Sequence, residues 1–417
     1  MTTNSEEPKK PGVGQIFLEE LNNQFKPPTK DNKKKGGISQ TNLIPLLAVS
    51  TGLIIGGIFI ILTTEQVYAA FGQSFGAGLA ATWDAVSKAY SGLFSGAFGD
   101  PARMIAALQS GDELQIRRAF NPILESLVTS TPYIFAGLAV ALGFRAGVFN
   151  IGAEGQIFIG AITATFVGYS VTGLPAIIHV PLALLAGAAG GAFWGFIPGW
   201  LKAKTGGHEV INTIMMNYIA FRLSDFLLTG PEIWPSAWLP RFFPEPIRFH
   251  LGFFIALGIA YLVYWYLFKT TWGFELRTVG TNPNAAKYAG MNVTKNIILA
   301  MSLSGALAGL AGANEVLGVN RNLAMAFSSG YGFDSIALAL LGNNHPLGVV
   351  LASLLFGTLR SGATRMQLTA GIPNDIISIL QAVILAFIAA PAIIRTIYRL
   401  RKPTVEEAGV TIRGWGG

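Results

Sequence analysis

Residues 43–62 read LIPLLAVSTGLIIGGIFIIL, a run without a single charged side chain. As a helix rising ~1.5 Å per residue, such a run reaches about 30 Å, the thickness of a bilayer's hydrocarbon core. This stretch decides the solvent in which the chain folds, and the rest of the sequence agrees with it. Of 417 residues, 51% are hydrophobic and 12% are charged, with a mean hydropathy of +0.49. Soluble domains carry about 25% charged residues. Half that density cannot coat a globule in water, so the composition excludes an ordinary soluble enzyme and assigns lipid to much of the surface. The chain has no cysteine, which removes disulfides, thiolate metal sites and cysteine nucleophiles together.

Outward from that first span, apolar stretches recur at 123–144, 149–169, 177–199, 210–229, 250–268, 296–318 and 375–396. Between the last two lies a divided region, 333–343 and 347–361, interrupted by Gly342, Asn343, Asn344, His345 and Pro346. Lysine and arginine in short flanking loops mark the cytoplasmic side. Lys33, Lys34 and Lys35 place the N-terminus inside, and Arg395, Arg399, Arg401 and Lys402 place the C-terminus inside. Both ends on one side demand an even number of crossings, and counting the divided region as two gives about ten. The loops at 200–209, with Lys202 and Lys204, and 269–295, with Lys269, Arg277, Lys287 and Lys295 against Glu275, then fall inside. The expected fold is an all-α polytopic membrane protein of about ten transmembrane helices, some broken or short, N-in and C-in.

The domain plan follows. Residues 1–42 are a polar cytoplasmic tail, with a candidate surface helix at 13–25 and no credible secretory signal. Residues 43–122 hold the first span and a long extracytoplasmic segment, with a helix near 79–97 expected along the outer surface. The transmembrane domain covers 123–396 and a second cytoplasmic tail 397–417. The net charge of +7 sits largely in the tails and inner loops, so it reports topology and not a nucleic-acid partner.

The segment GFRAGVFNIGAEGQIFIGA, 143–161, breaks an apolar passage with glycines and with Asn150, Glu154 and Gln156. Non-helical backbone at membrane depth is tolerated only where it is buried in protein or lines a wet cavity. Asn150 is the expected N-cap of a helix resuming at Ile151, with Glu154 in its first turn at the positive end of the dipole. Asp334 is the expected N-cap of the short helix in the divided region. Two broken helices, one in each half, are the pattern of a site built from helix ends. Asn212 and Asn217, beside Met215, Met216 and Tyr218, would suit an uncharged, hydrogen-bonding ligand. Gly187, Gly191, Gly195 and Gly199 make a ridge for close helix packing, as do Gly305 and Gly309. Arg222 and Asp225 are spaced to neutralise one another. No phosphate loop GxxxxGK[ST], HExxH or paired-carboxylate motif occurs, and His208–Glu209 lacks further ligands.

Three of these stretches, FRAGVFNIGAEGQ (144–156), GGHEVINTIMMNYIA (206–220) and GFELRTVGTNPNAAKYAGMNV (273–293), resemble the permease subunits of ABC importers for nucleosides and simple sugars, in the branched-chain amino acid and ribose permease superfamily. The likeness covers roughly 120–395. It implies a subunit that performs no bond chemistry and carries no cofactor of its own, ATP and Mg being held by a cytoplasmic ATP-binding subunit. It also implies a second permease chain, as a heterodimer, an extracytoplasmic solute-binding lipoprotein, and residence in a bacterial cell membrane. The loop 269–295 would supply a coupling helix, with Arg277, Gly280, Asn282, Ala285, Ala286 and Gly290 at the matching positions. Thr278 stands where members often have Ala. Asn150, Glu154, Gln156, Asn212, Asn217 and Asp334 are then the residues expected near the substrate path. The alternative is an ion-coupled secondary transporter, which also uses broken helices.

Overall fold

The computed structural model describes residues 40–227, 232–324, 327–373 and 375–399. The helix expected at 13–25, most of both tails, and Arg401 and Lys402 lie outside those residues. The chain divides into units 1–43 and 44–417. Of the first, only 40–43 is described, as the opening of a helix.

Backbone polar groups in hydrocarbon must be satisfied within their own segment, and among the described residues the chain accordingly forms helices, with one isolated β-bridge between Arg241 and His250. In order they are α1 (Gln40–Thr63), α2 (Glu65–Gln73), α3 (Phe75–Phe98), α4 (Pro101–Ser110), α5 (Glu113–Arg145), α6 (Ala153–Ser170), α7 (Ala176–Thr205) and α8 (Glu209–Leu227). There follow α9 (Gly252–Lys269), α10 (Thr271–Thr281), α11 (Pro283–Tyr288), α12 (Val293–Asn314), α13 (Tyr331–Leu341), α14 (Pro346–Ala370), α15 (Asp375–Ala389) and α16 (Pro391–Ile397). Six of them, α1, α5, α7, α9, α14 and α12 with its π-helical extension to Asn320, are long and apolar enough to cross a membrane. Helices α6 and α8 are comparable in length but carry Glu154, Gln156, Asn217, Arg222 and Asp225, which lower their apolar content.

Helix α5 is the axis of the bundle. Every residue from Ser130 to Gly143 is buried, and α9, α12, α13 and α14 all pack against it. A helix that is apolar on all sides belongs at the centre, where no face has to meet water. The expected helix near 79–97 is present as α3 and lies along α14. Gly92 and Gly96 approach so closely that a side chain on either would strike Thr369 or Arg365.

The glycine ridge of α7 works as its spacing predicts. Gly191 lies against the backbone of Gly305 and Gly309, Gly187 against Gly160 and Ala313, and Gly195 and Gly199 against Met301. Gly160 of α6 in turn meets Gly309, so three helices cross through backbone-to-backbone contact. Arg222 and Asp225 pair on the exposed side of α8 at 3.6 Å.

At the far end of α12 the π-helical turn Glu315–Asn320 shifts the carbonyls out of register. The preceding segment 232–251 takes them up: Arg241 Nη2 donates to Gly318 O and Val319 O, both at 3.1 Å, and Leu239 N donates to Leu317 O at 3.0 Å. His250 is buried against Gly318. Burial, reinforced by Arg241 and Arg248, pushes its pKa down to about 4, so the imidazole there is neutral.

The helix crossing gives a direct expectation. Gly191→Leu places a side chain where Gly305 and Gly309 backbone now stands, and overpacking of a closed contact costs about 1–3 kcal/mol or more. The melting temperature of the detergent-purified variant will fall by several degrees or the monodisperse species will be lost. Leucine at exposed Gly258, which meets nothing within 4 Å, will leave melting unchanged.

Candidate functional site

Two helices begin inside the protein, and their unpaired N–H groups define the site. The first is α6. Its N-cap is Gly152, which offers no side chain, and the helix starts at Ala153. Asn150 therefore does not cap it, contrary to the sequence expectation, because the chain makes a further turn through Ile151 and Gly152 before helical geometry resumes. Asn150 instead turns inward, its Nδ2 donating to Gln156 Oε1 and Ser304 Oγ, both at 2.8 Å, while Gln156 Nε2 returns a bond to Asn150 Oδ1 at 3.2 Å. The free groups of the break are met from α8: Asn217 Oδ1 accepts from Gly155 N at 2.8 Å and its Nδ2 donates to Ile151 O at 3.0 Å. Asn150, Glu154, Gln156 and Asn217 are all buried.

The second is α13, whose eleven residues extend ~16 Å at 1.5 Å each, about half of a hydrocarbon core. Its N-cap is Gly330 at φ 91°, a left-handed conformation that favours glycine. Asp334 is thus a first-turn residue and not the cap. The capping carboxylate comes from α6: Glu154 Oε2 accepts from Gly332 N and Glu154 Oε1 from Ser328 Oγ, both at 2.5 Å. Gly332 has to be glycine, since a Cβ would strike the backbone of Glu154. Glu154 stands at the positive ends of its own helix and of α13, the best-compensated position for a carboxylate out of water.

Asp334 faces α5 and α14. Tyr133 Oη donates to Asp334 Oδ2 at 2.8 Å, and Arg360 Nη1 donates to Tyr133 Oη at 2.7 Å and to the same Oδ2 at 3.3 Å. Arg360 Nη2 reaches Ser329 O at 3.1 Å, and Tyr331 meets Tyr133 edge-on at 4.9 Å. From Arg360 a groove of ≈ 760 Å³ runs between α14 and α5, bordered by Thr129, Ser361, Thr364 and the paired Glu125 and Arg248. That volume falls in the range of small-ligand sites, roughly 300–1,000 Å³.

Of the six expected path residues, five are gathered around these two breaks; Asn212 is not, lying near the start of α8 beside Gly207. Tyr133, Ser304, Ser328, Tyr331 and Arg360 were missed by the sequence reading. Arg360 had a signal: a charge within the apolar stretch 347–361, where ionisable residues are rare and functional. The tyrosines and serines had none, since their role depends on tertiary neighbours.

The 269–295 segment folds as α10 and α11. Asn282 Oδ1 caps α11, accepting from Asn284 N and Ala285 N at 3.0 Å each. Gly290 takes φ 80° and ends the turn. Ala285 is exposed while Ala286 is fully buried, and Tyr288 beside them is 99% exposed. Gly280 presses against the backbone of Arg145–Gly147, and Arg277 lies 5.0 Å over the Phe268 ring. Arg145 in turn donates to Asn344 O at 2.9 Å and Asn343 O at 3.2 Å, tying the end of α5 to the turn after α13. Among the described residues no cluster of His, Cys, Asp and Glu could hold a metal ion.

Asn217→Ala strips partners from both Gly155 N–H and Ile151 C=O, at about 1–3 kcal/mol for each buried group left unmade. The variant will melt measurably lower than wild type, and Asn217→Asp, which keeps the acceptor alone, will fall between the two.

A family model described as branched-chain amino acid transport system / permease component matches residues 122–402. The chain is 41% identical over 368 residues to a guanosine ABC transporter permease protein of Bacillus subtilis, covering 85% of this chain and 94% of that one. It is 34% identical over 374 residues to a nucleoside ABC transporter permease protein of Lactococcus lactis, covering 84% and 92%. To a glucose ABC transporter permease protein of Haloferax volcanii it is 36% identical over 291 residues, covering 64% and 75%. No solved structure matches. A chain whose described residues fold as helices, six of them membrane-length and apolar, and whose residues 122–402 match this family is a multi-pass membrane protein, and it belongs to the branched-chain amino acid transport system permease family.

Proposed function

We propose that the chain is the membrane-spanning permease of an ABC importer for nucleosides, coupling ATP hydrolysis by a partner chain to solute uptake. The observation that carries this reading is the 41% identity, across 94% of its length, to a permease whose name specifies guanosine. The chain would cross a bacterial inner membrane about ten times, with α6, α8, α13 and α15 as less apolar or shorter crossings and both termini inside. Positive flanks at 200–209 and 269–295 support that orientation. A sugar permease is the second reading, favoured by the glucose-named relative.

On this reading the groove ending at Arg360 is the solute's way through the outer half, and the helix ends held by Glu154, Asn217 and Asn150 are the part that rearranges. Glu154, Gln156, Asn150 and Asn217 act by holding the break, since each is buried and hydrogen-bonded to protein, while Asp334 is the one whose side chain remains a third exposed. The segment containing Arg277, Gly280, Asn282, Ala285, Ala286 and Gly290 would seat in a cytoplasmic ATP-binding subunit. A second permease chain and an extracytoplasmic solute-binding lipoprotein complete the assembly.

Deleting the gene will abolish uptake of labelled guanosine or uridine by intact cells, and ATP-depleted vesicles carrying an ion gradient will take up none. Persisting uptake after deletion, or gradient-driven uptake by this chain alone, rejects the importer reading. At the docking segment, Ala285→Trp will reduce copurification of the ATPase and uptake together by roughly tenfold while the permease still inserts. An interface anchor of this kind is worth about 1–2 kcal/mol or more.

A further inference from the structure

We propose that a pocket between the end of α7 and the start of α12 holds the phosphate headgroup of an anionic phospholipid. The inference needs only that the chain spans a membrane, and it stands whichever solute the chain moves. Both helices are long and apolar enough to cross, and they touch where Gly199 meets the backbone of Ile298. On the loop side of that contact lies a pocket of ≈ 570 Å³. Lys204 of α7 and Lys295, in the first turn of α12, line it, and both are exposed. Neither has a carboxylate partner among the described residues, and no acidic residue lines the pocket. The acids of the two flanking loops are committed elsewhere: Glu209 pairs with Lys202, and Glu275 accepts from Asn296 Nδ2 at 3.2 Å. The positive end of α12 and the negative end of α7 meet here and offset one another, so the two lysines set the sign of the pocket.

Its depth selects the occupant. Ile298 and Leu299 are half-buried in its wall, and Ser302 lies ~10 Å along the axis of α12 from Lys295. One headgroup layer is about 5–7 Å thick, so the lining runs from the level of the charges past it, to that of the ester groups and upper acyl chains. The Ser302 hydroxyl bonds to no protein group among the described residues and is free to meet an ester oxygen. A free phosphate would satisfy the lysines and leave Ile298 and Leu299 bare. A cytoplasmic protein would reach the lysines and stop above Ser302. A phospholipid with a net negative headgroup covers the whole lining, and basic pockets between spanning helices attract such headgroups. In the orientation proposed above, the pocket opens to the cytoplasmic leaflet.

The chain has no cysteine, so one introduced thiol carries one fluorescent label. Trp200→Cys places it one turn below Lys204 on the same side of α7, at an exposed position outside the lining. Leu185→Cys, also exposed and four turns away, is the reference position. The full chain is reconstituted in phosphatidylcholine vesicles, part of whose lipid is replaced by phosphatidylglycerol or phosphatidylcholine with brominated acyl chains, and quenching reports which lipid is bound beside the label. At position 200 brominated phosphatidylglycerol is expected to bind about tenfold more strongly than brominated phosphatidylcholine, and at 185 the two should differ by less than about twofold. Lys204→Gln with Lys295→Gln will bring the preference at 200 to within about twofold, while Lys204→Arg with Lys295→Arg will keep it. Unchanged quenching at 185 in these variants shows that α7 is still seated in the bilayer. Equal quenching by both lipids at position 200, or a preference that survives the glutamines, overturns the proposal. Loss of the preference in excess inorganic phosphate assigns the pocket to a free anion and overturns it too.

Discussion

A helix that begins inside an apolar slab exposes N–H groups that no water can reach, and among the described residues α6 and α13 do so. Glu154 stands at both beginnings and caps the second. Its carboxylate lies in the first turn of α6 and accepts from the Gly332 amide and the Ser328 hydroxyl at the start of α13. One acidic side chain thereby ties the two breaks together, and the positive ends of two helices compensate its charge. Everything nearby is arranged around that requirement. Asn217 meets the backbone groups of the α6 break, the Asn150–Gln156–Ser304 cluster fixes the turn before it, and Gly332 keeps its surface bare so that the starts of α6 and α13 can meet.

Such proximity needs thin helices behind it. The contact of Gly160, Gly187, Gly191, Gly305 and Gly309 brings α6, α7 and α12 together through backbone alone, which sets the start of α6 against α13. In lipid, close van der Waals contact replaces the hydrophobic drive that holds soluble bundles together. Packing and polar satisfaction are thus one problem: the glycines set the separation and the side-chain amides and carboxylate close the hydrogen bonds that separation makes available.

How much of this was legible beforehand divides along physical lines. Helical segments, breaks and the glycine ridge are local patterns of apolarity and size; the ridge and the interruption at Gly342–Pro346, where Asn343 and Asn344 adopt positive φ, appear as read, while six of the ten expected spans are long and apolar enough to cross a membrane. The capping roles of Asn150 and Asp334 were read from local spacing and are wrong, because in both cases a side chain from another helix supplies the partner. The set Tyr133, Asp334 and Arg360 spans residues far apart in the chain, so no spacing rule could assemble it. Asn212 was chosen for its chemistry, and position alone separates it from Asn217. Ala285 and Ala286, indistinguishable in type, differ because only one of them points into the fold.

The meeting of Gly147 and Gly280 has a mechanical meaning. Two glycine backbones touch there with no side chain between them, one in the link that leads from α5 to Glu154, the other in α10. Side chains act as springs that absorb small displacements by changing rotamer, and this joint has none. Packed interiors have low compressibility and transmit strain. The connection at 146–152 and α10 therefore meet with no rotamer to yield, and any displacement of one against the other falls on backbone alone.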